Sequence, residues 1–169
     1  MELLIPGLII VAVMVWASTR IKRNAAAAFD AEVVETDTLI ISKPAGWLSI
    51  AEPKNALFEA YTREFAPSPH EEMRLGTAAV VAERASADEI VAGLRTNATI
   101  KDEAREIVSE VRYRVLETAQ TEGEVEILEF LKIAERDDQS YVLRVRTPDP
   151  ATAELRRGIE TMLDSFILK

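Results

Sequence analysis

The sequence predicts an α+β fold, in which a mostly antiparallel sheet is packed by helices, behind a single transmembrane helix at the N-terminus. Three observations predict it. Three consecutive runs after Val111 alternate apolar and polar residues, which is typical of half-buried strands. After Pro150 the apolar residues return to helical spacing. The stretch from Leu3 to Ala17 carries no charge.

The uncharged stretch is close to the length of a membrane helix. Residues 3–19 rise about 1.5 Å each as a helix, and the hydrocarbon core is about 30 Å thick. Trp16 suits the headgroup region, and Pro6 falls in the first turn, where proline is tolerated. The predicted anchor residues are Leu3, Leu4, Ile5, Leu8, Ile9, Ile10, Val11, Val13, Met14, Val15 and Trp16.

Charges beside this stretch predict its orientation. Arg20, Lys22 and Arg23 form a basic flank, and positive residues mark the cytoplasmic side of a membrane helix. The sequence therefore predicts a single-pass protein of the cell membrane with a cytoplasmic domain. The alternative is an extracytoplasmic domain, reached through an inverted helix or a cleaved secretory signal. A signal peptide has a basic region before its apolar stretch, and only Met1 and Glu2 precede this one.

Composition limits the partners of the remaining chain. Residues 24–169 contain 17 Lys and Arg against 28 Asp and Glu, a net charge of −11. Such a domain repels nucleic acid and anionic headgroups, so we expect no nucleic-acid partner. The predicted organisation is an anchor with its basic flank at 1–23, a helical stalk or linker at 24–35, and one α+β domain at 36–169.

The first half of the domain reads mainly as short strands. Leu39–Ile41 and Trp47–Ile50 are β-rich runs separated by a turn. Residues 56–65 fit either a helix or a strand. We favour the strand, because Pro67 closes the run and the stretch that begins at Gly76 offers a partner of similar length.

A helix and a three-stranded meander follow. Ser86 and Glu89 form a capping box that opens a helix, and a second helix is predicted for Thr99–Val108. The meander strands begin near Val111, Glu124 and Ser140, with turns at Gly123 and at Asp137-Asp138.

The last predicted element is a helix that packs on the sheet. Asp149 is its predicted cap and Pro150 its first residue. Its predicted apolar stripe consists of Leu155, Ile159, Met162, Leu163, Phe166 and Ile167.

Three short motifs give the chain a resemblance to a known family. Lys43-Pro44-Ala45-Gly46-Trp47 forms an early proline-to-Gly-Trp turn, the meander ends in Tyr141-Val142-Leu143, and the last helix finishes in Ser165-Phe166. Over residues 36–168 the chain resembles the PsbP-like fold, which includes photosystem-associated and bacterial lipoprotein members. The resemblance implies an α/β sandwich and transfers no functional residue.

The sequence contains no motif for catalysis, a cofactor or a metal site. Cysteine is absent, which excludes thiolate catalysis and iron–sulfur clusters, and the six glycines are all isolated. The one histidine, His70, lies among carboxylates without the spacing of metal ligands, so we expect a solvated loop. Glu124, Glu126 and Glu129 are predicted to face solvent from one strand.

One set of meander residues is a candidate partner-binding face. We place Val111, Tyr113 and Val115 on the core side together with Ile127, Leu131, Ile133, Tyr141, Leu143 and Val145. Strand alternation then sends four arginines and two apolar residues to the opposite face. These are Arg112, Arg114, Leu128, Phe130, Arg144 and Arg146. The set would bind an acidic ligand or partner. The alternative is that its arginines simply pair with neighbouring carboxylates.

The leading functional hypothesis is a membrane-tethered, non-enzymatic accessory protein. Its partners would be the lipid bilayer and an unidentified protein or small ligand. The alternative is an enzyme, or a transport or envelope-stress component, that uses carboxylates in a pocket at the sheet edge. A pocket with converging carboxylates would favour the enzyme, and an arginine-bearing face would favour binding.

Overall fold

Two antiparallel sheets and two packed helices build the domain in the computed structural model, which describes residues 13–20, 25–66 and 73–169. The elements in chain order are β1 (Glu32–Glu35), β2 (Leu39–Lys43), β3 (Trp47–Ser49), β4 (Phe58–Thr62), β5 (Thr77–Glu83), α1 (Ala87–Asn97), β6 (Thr99–Val108), β7 (Val111–Glu122), β8 (Val125–Arg136), β9 (Gln139–Pro148), α2 (Ala153–Ser165) and β10 (Ile167–Leu168). The small sheet has the order β1-β2-β10, and the large sheet has the order β3-β4-β5-β9-β8-β7-β6.

The main core lies where α2 and β2 pack on the large sheet. The buried residues Leu155, Ile159 and Met162 form the apolar stripe of α2, because they recur at helical spacing. Phe166 follows this helix and is fully buried, with its ring edge-on to Tyr113 at a centroid distance of 6.3 Å. The predicted α+β fold with an antiparallel sheet is confirmed.

A second apolar cluster covers the other face of the large sheet. Ile90 and Val91 of α1 pack on Leu116, Leu131 and Ile133. Helices therefore cover the centre of the sheet on both faces. As a result, β8 is buried over eight consecutive residues, 127–134.

Local signals placed several elements correctly. The strands β2, β3, β4 and β5 and the meander β7-β8-β9 all form, so residues 56–65 contain a strand. The capping box is confirmed: the Glu89 carboxylate accepts from the Ser86 N–H at 2.8 Å and from the Ser86 hydroxyl at 2.9 Å. These hydrogen bonds, the backbone one above all, hold the pKa of Glu89 below its ordinary value of 4.5.

The predicted helix over Thr99–Val108 is wrong, because this segment is strand β6. Ser109 and Glu110 adopt φ values of 50° and 69° and reverse the chain, so that β6 pairs with β7. Long-range pairing outweighs the local helix propensity of the sequence. Because β6 is a largely exposed edge strand, its many charged side chains also discourage pairing with another sheet.

The final helix begins later than predicted. Its N-cap is Thr152, whose Oγ1 accepts a hydrogen bond from the Leu155 N–H at 3.2 Å, so Asp149 and Pro150 precede the helix. At the other end Ile167 leaves the helix and pairs with Ile40 of β2.

Part of the predicted stalk belongs to the folded domain. Glu32–Glu35 pairs with β2, and among the described stalk residues, 25–35, helix is present at 25–27. The buried ammonium of Lys43 donates to the carbonyls of Ala28 at 2.9 Å, Asp30 at 2.6 Å and Trp47 at 3.1 Å. Lys43 thus fastens this N-terminal segment to the domain, which begins before the predicted boundary at residue 36.

Most of the predicted membrane anchor lies outside the described residues, as do Lys22, Arg23 and His70. Residues 13–20 are helical, and Val13, Met14, Val15 and Trp16 are exposed. Within the described ranges no helix has both the length and the apolar character needed to span a bilayer. Membrane attachment therefore stays a prediction from the sequence.

Candidate functional site

The structure divides the six residues of the candidate binding face between two faces of the large sheet. Phe130 lies opposite Glu117 and Val145, and Leu128 lies opposite Ala119 and Thr147. Both belong to the main core under α2. Arg114, Arg144 and Arg146 are on the other face, which α1 covers in part. The prediction that all six share one face is therefore wrong.

The error arises in β8 alone. The alternation was read correctly in β7 and β9, where the arginines point away from Tyr113 and Leu143. In β8, however, apolar residues occupy both faces, so alternation does not show which set faces which layer. A shift of one residue in register exchanges the two faces. Ile127, Leu131 and Ile133 therefore lie on the arginine side.

Arg112 and Arg114 do not contribute to an open binding surface. Arg114 is only 13% exposed, and its Nη2 lies 2.6 Å from Asp88 Oδ1 at the start of α1. The hydrogen bond and positive charge of Arg114 hold the pKa of Asp88 below its ordinary value of 3.8. Arg114 thus fastens α1 to the sheet. Arg112 is exposed opposite Ile107 of β6, where the pairing of β7 with β8 has ended.

Arg144 and Arg146, which we call the arginine pair, lie on the part of the sheet beyond α1. Each side chain is 38% exposed. Beneath them is Glu129, with only 3% of its side chain exposed; its Oε1 lies 3.4 Å from Arg144 Nη1 and 3.8 Å from Arg146 Nε. Arg146 also contacts the half-exposed carboxylate of Glu122. Glu129 therefore forms an ion pair with both guanidinium groups from below and balances one of their two positive charges.

Glu129 was predicted to face solvent, and this prediction is wrong. Glu124 and Glu126 are exposed as expected, and Glu126 pairs with Lys101. The sequence of β9 supplied the two arginines, but the register that places Glu129 directly opposite Arg146 is known only from the structure. A carboxylate is buried at low cost only beside a positive partner.

Two hollows flank the arginine pair. One, of about 560 Å³, lies between α1 and the sheet and includes Ile90, Gly93 and Glu122 in its lining. The other, of about 310 Å³, lies on the β4–β5 side and includes Tyr61 and Arg74. Arg144 and Arg146 line both. The pair thus forms a charged ridge with space on either side.

Carboxylates also line the larger hollow, as the enzyme hypothesis requires. They are Glu83, Glu89, Glu122 and Glu129. However, Glu122 and Glu129 are paired with arginines, and Glu89 caps α1. General acid–base catalysis by two carboxylates needs one of them kept protonated in an apolar or like-charged setting. Three of the four are held by donors, so this arrangement suits ion pairing better than proton transfer.

Comparison with known proteins identifies the fold. No family model and no curated protein matches the chain. Among solved structures, the chain is similar to the cyanobacterial PsbP protein CyanoP from Synechocystis sp. PCC 6803. The TM-score is 0.55 at 9% identity, and the match covers 83% of this chain and 94% of CyanoP.

Two further structures share the architecture. LpqN, which is involved in cell envelope biogenesis in Mycobacterium tuberculosis, matches with a TM-score of 0.57 at 10% identity, over 83% of this chain and 91% of LpqN. The Ran-binding protein Mog1p of Saccharomyces cerevisiae matches with a TM-score of 0.52 at 10% identity, over 83% of this chain and 96% of Mog1p. The chain therefore has the PsbP-like α+β fold, as its motifs indicated.

Proposed function

We propose that this chain is a membrane-tethered, non-enzymatic accessory protein whose domain binds an acidic segment of a partner protein through the arginine pair. The observation that carries the proposal is the position of Arg144 and Arg146. Both guanidinium groups are partly exposed, yet a buried carboxylate holds them in place. Such an arrangement is prepared for a carboxylate, because little side-chain freedom remains to be lost on binding.

The charge of the rest of the domain further limits the classes of molecule that can be its partner. With a net charge of −11 over residues 24–169, the domain repels polyanions at long range, which disfavours nucleic acid. A short acidic segment meets the arginine pair at contact distance, where the two guanidinium groups can donate hydrogen bonds to its carboxylates. Glu122 is the exposed carboxylate on Arg146, so an incoming carboxylate takes its place, whereas Glu129 stays buried.

The proposed tether rests on the sequence of residues 3–17 and its flank. Arg20 stacks on Trp16 with its guanidinium carbon 5.2 Å from the ring centroid, and both residues suit a membrane interface. The cytoplasmic orientation rests on Arg20, Lys22 and Arg23.

The tether predicts that the protein stays with membranes after alkaline carbonate extraction, and that deletion of residues 1–23 releases it into the soluble fraction. In sealed right-side-out vesicles, added protease should leave the domain intact. Recovery of the full chain in the soluble fraction would contradict the tether. Digestion of the domain would place it outside the cell and contradict the orientation only.

The binding proposal predicts the effect of replacing both arginines by lysine. Lysine keeps the charge that neutralises Glu129 but lacks the planar fork that binds a carboxylate with two hydrogen bonds. In the full-length protein in phosphatidylcholine nanodiscs, R144K/R146K should weaken binding of a fluorescein-labelled hexaglutamate peptide about tenfold. Fluorescence anisotropy at physiological ionic strength, where the long-range repulsion by the acidic domain is screened, measures the change.

Arg112→Lys is the matched control, because Arg112 is exposed on the same sheet but does not belong to the arginine pair. It should leave the affinity unchanged. Equal affinity of the wild type and R144K/R146K, or no saturable binding by the wild type, would refute the proposal. The melting temperature of each variant shows whether the fold is intact.

A further inference from the structure

Residues of the motif Lys43–Trp47 line a second candidate site, which is separate from the arginine pair. A groove of about 510 Å³ is lined by Ala26 and Phe29, by residues 44–47 of this motif, by residues 62–64 at the end of β4, by Leu75, and by α2 with its N-cap. We call it the Trp47 groove. It shares no lining residue with the two hollows beside the arginine pair. Its volume lies within the range of about 300–1,000 Å³ that is typical of ligand sites.

The base of the groove is apolar and closely packed. Trp47 is 2% exposed, and a Cβ atom added at Gly76 would lie 2.7 Å from its Cη2. On the α2 side, a Cβ atom added at Gly158 would lie 3.4 Å from Trp47 Nε1. Phe29 and Leu75 complete the apolar lining. Glycine at 158 thus keeps the groove open beside the indole.

The rim carries charges of both signs on opposite walls. Arg63 and Glu64 follow β4, and Glu154 and Arg157 lie on α2. Within the described ranges none of the four has an ion-pair partner, although the guanidinium carbon of Arg63 lies 5.8 Å from the Phe29 ring centroid. A segment lying in the groove would therefore meet an acid and a base on each side.

We infer that the Trp47 groove binds a peptide segment of a partner protein that inserts one bulky apolar side chain and carries charged residues of both signs beside it. The apolar base between charged walls is the arrangement of an interface hot spot, in which a buried anchor is surrounded by polar contacts. A bilayer lipid fits less well. The acidic domain repels anionic headgroups, and an acyl chain alone leaves the four rim charges without partners.

The fluorescence of Trp47 reports whether the groove is occupied. The chain contains two tryptophans, so Trp16→Phe makes Trp47 the only one. The probes are three blocked peptides of the form acetyl-Glu-Lys-X-Glu-Lys-amide, in which X is Leu, Phe or Ser. With the full-length protein in phosphatidylcholine nanodiscs, the Leu and Phe peptides should shift Trp47 emission saturably, and the Ser peptide should bind at least tenfold more weakly.

Gly158→Ala tests the location of binding without weakening the fold. The added methyl group reaches ordinary contact distance from Trp47 and Pro44 and occupies the groove. Alanine is also the better helix former. The variant should therefore bind the Leu peptide at least fivefold more weakly while its melting temperature stays equal or rises. Gly93→Ala, on α1 with open space around it, is the matched control and should bind normally.

Three results would overturn the inference. They are the absence of a saturable shift with any peptide, equal binding of the Ser peptide, and unchanged binding by Gly158→Ala. If that first result is accompanied by a shift with dihexanoylphosphatidylcholine, the groove is assigned to lipid. The arginine pair does not enter this test, so R144K/R146K should bind the Leu peptide normally.

Discussion

Replacing Lys43 by methionine should lower the free energy of unfolding by about 3 kcal/mol, because a buried acceptor that loses its donor costs about 1–3 kcal/mol. The ammonium is 1% exposed and donates to three backbone carbonyls. Methionine fills a similar volume but donates nothing. The carbonyls of Ala28 and Asp30 then lose the donor that holds them against the domain.

The loss should be concentrated at the N-terminal segment. Hydrogen exchange should show reduced protection of the Gly46 N–H, which donates to the Phe29 carbonyl at 2.8 Å, and of β1. Chemical denaturation measures the global change. Lys101→Met is the matched control, because Lys101 pairs with Glu126 at the surface, where such pairs are worth about 0–1 kcal/mol. Equal losses for the two variants would contradict the role given to Lys43.

Replacing Phe166 by alanine should lower the free energy of unfolding by about 3–4 kcal/mol, the usual cost of removing a buried aromatic ring. Phe166 is fully buried between the end of α2 and the large sheet, edge-on to Tyr113. Its removal leaves a cavity that the surrounding sheet is too rigid to close. Chemical denaturation measures the loss, and Phe65→Ala, at a 46% exposed ring, should cost far less.

Tyr113 provides a second measure of the same change. Burial, with a smaller contribution from Glu106, raises the pKa of Tyr113 above 10.0. Because the folded state holds this proton more tightly, the tyrosine contributes stability below pH 10 that is lost as pH rises through the raised value. In F166A water reaches the ring, so the pKa, followed by NMR of labelled tyrosine, should fall toward 10.0. An unchanged pKa would show that water does not enter the cavity.

Features that depend on neighbouring residues were predictable. The capping box of α1 is a contact between Ser86 and Glu89, three residues apart. The turn at Asp137-Asp138 needs two residues with positive φ, and both Asp residues adopt it. Each of these features is built within one turn of chain, so composition and spacing were sufficient to locate it.

The candidate site was only partly predictable, for reasons of register and burial. Arg144 and Arg146 were predictable because apolar and charged residues alternate over residues 143–146 of β9. Leu128 and Phe130 were misplaced because β8 has apolar residues on both faces. Residue type alone predicts Glu129 at the surface, because its arginine partners belong to another strand. The hydrogen bonds from Lys43 to the N-terminal segment were not predictable, because the accepting carbonyls of Ala28 and Asp30 lie in the predicted stalk.

The segment Thr99–Val108 shows the same limit for secondary structure. Its residues favour a helix in isolation, but a strand there gains a long ladder with β7 and completes the edge of the sheet. Local propensities differ by less than about 1 kcal/mol per residue, so the long row of pairings with β7 decides the outcome.

By itself, the sequence determined the fold class, the acidic character that disfavours polyanions, the α1 cap and the meander, because these follow from residue type and short spacing. It also carries the main support for a membrane anchor. The tertiary structure decided which face each side chain of β8 occupies, that Glu129 lies beneath the arginine pair, and that the Lys43–Trp47 motif opens a groove against α2. Each of these depends on contacts between distant segments, and strand register and packing bring those segments together.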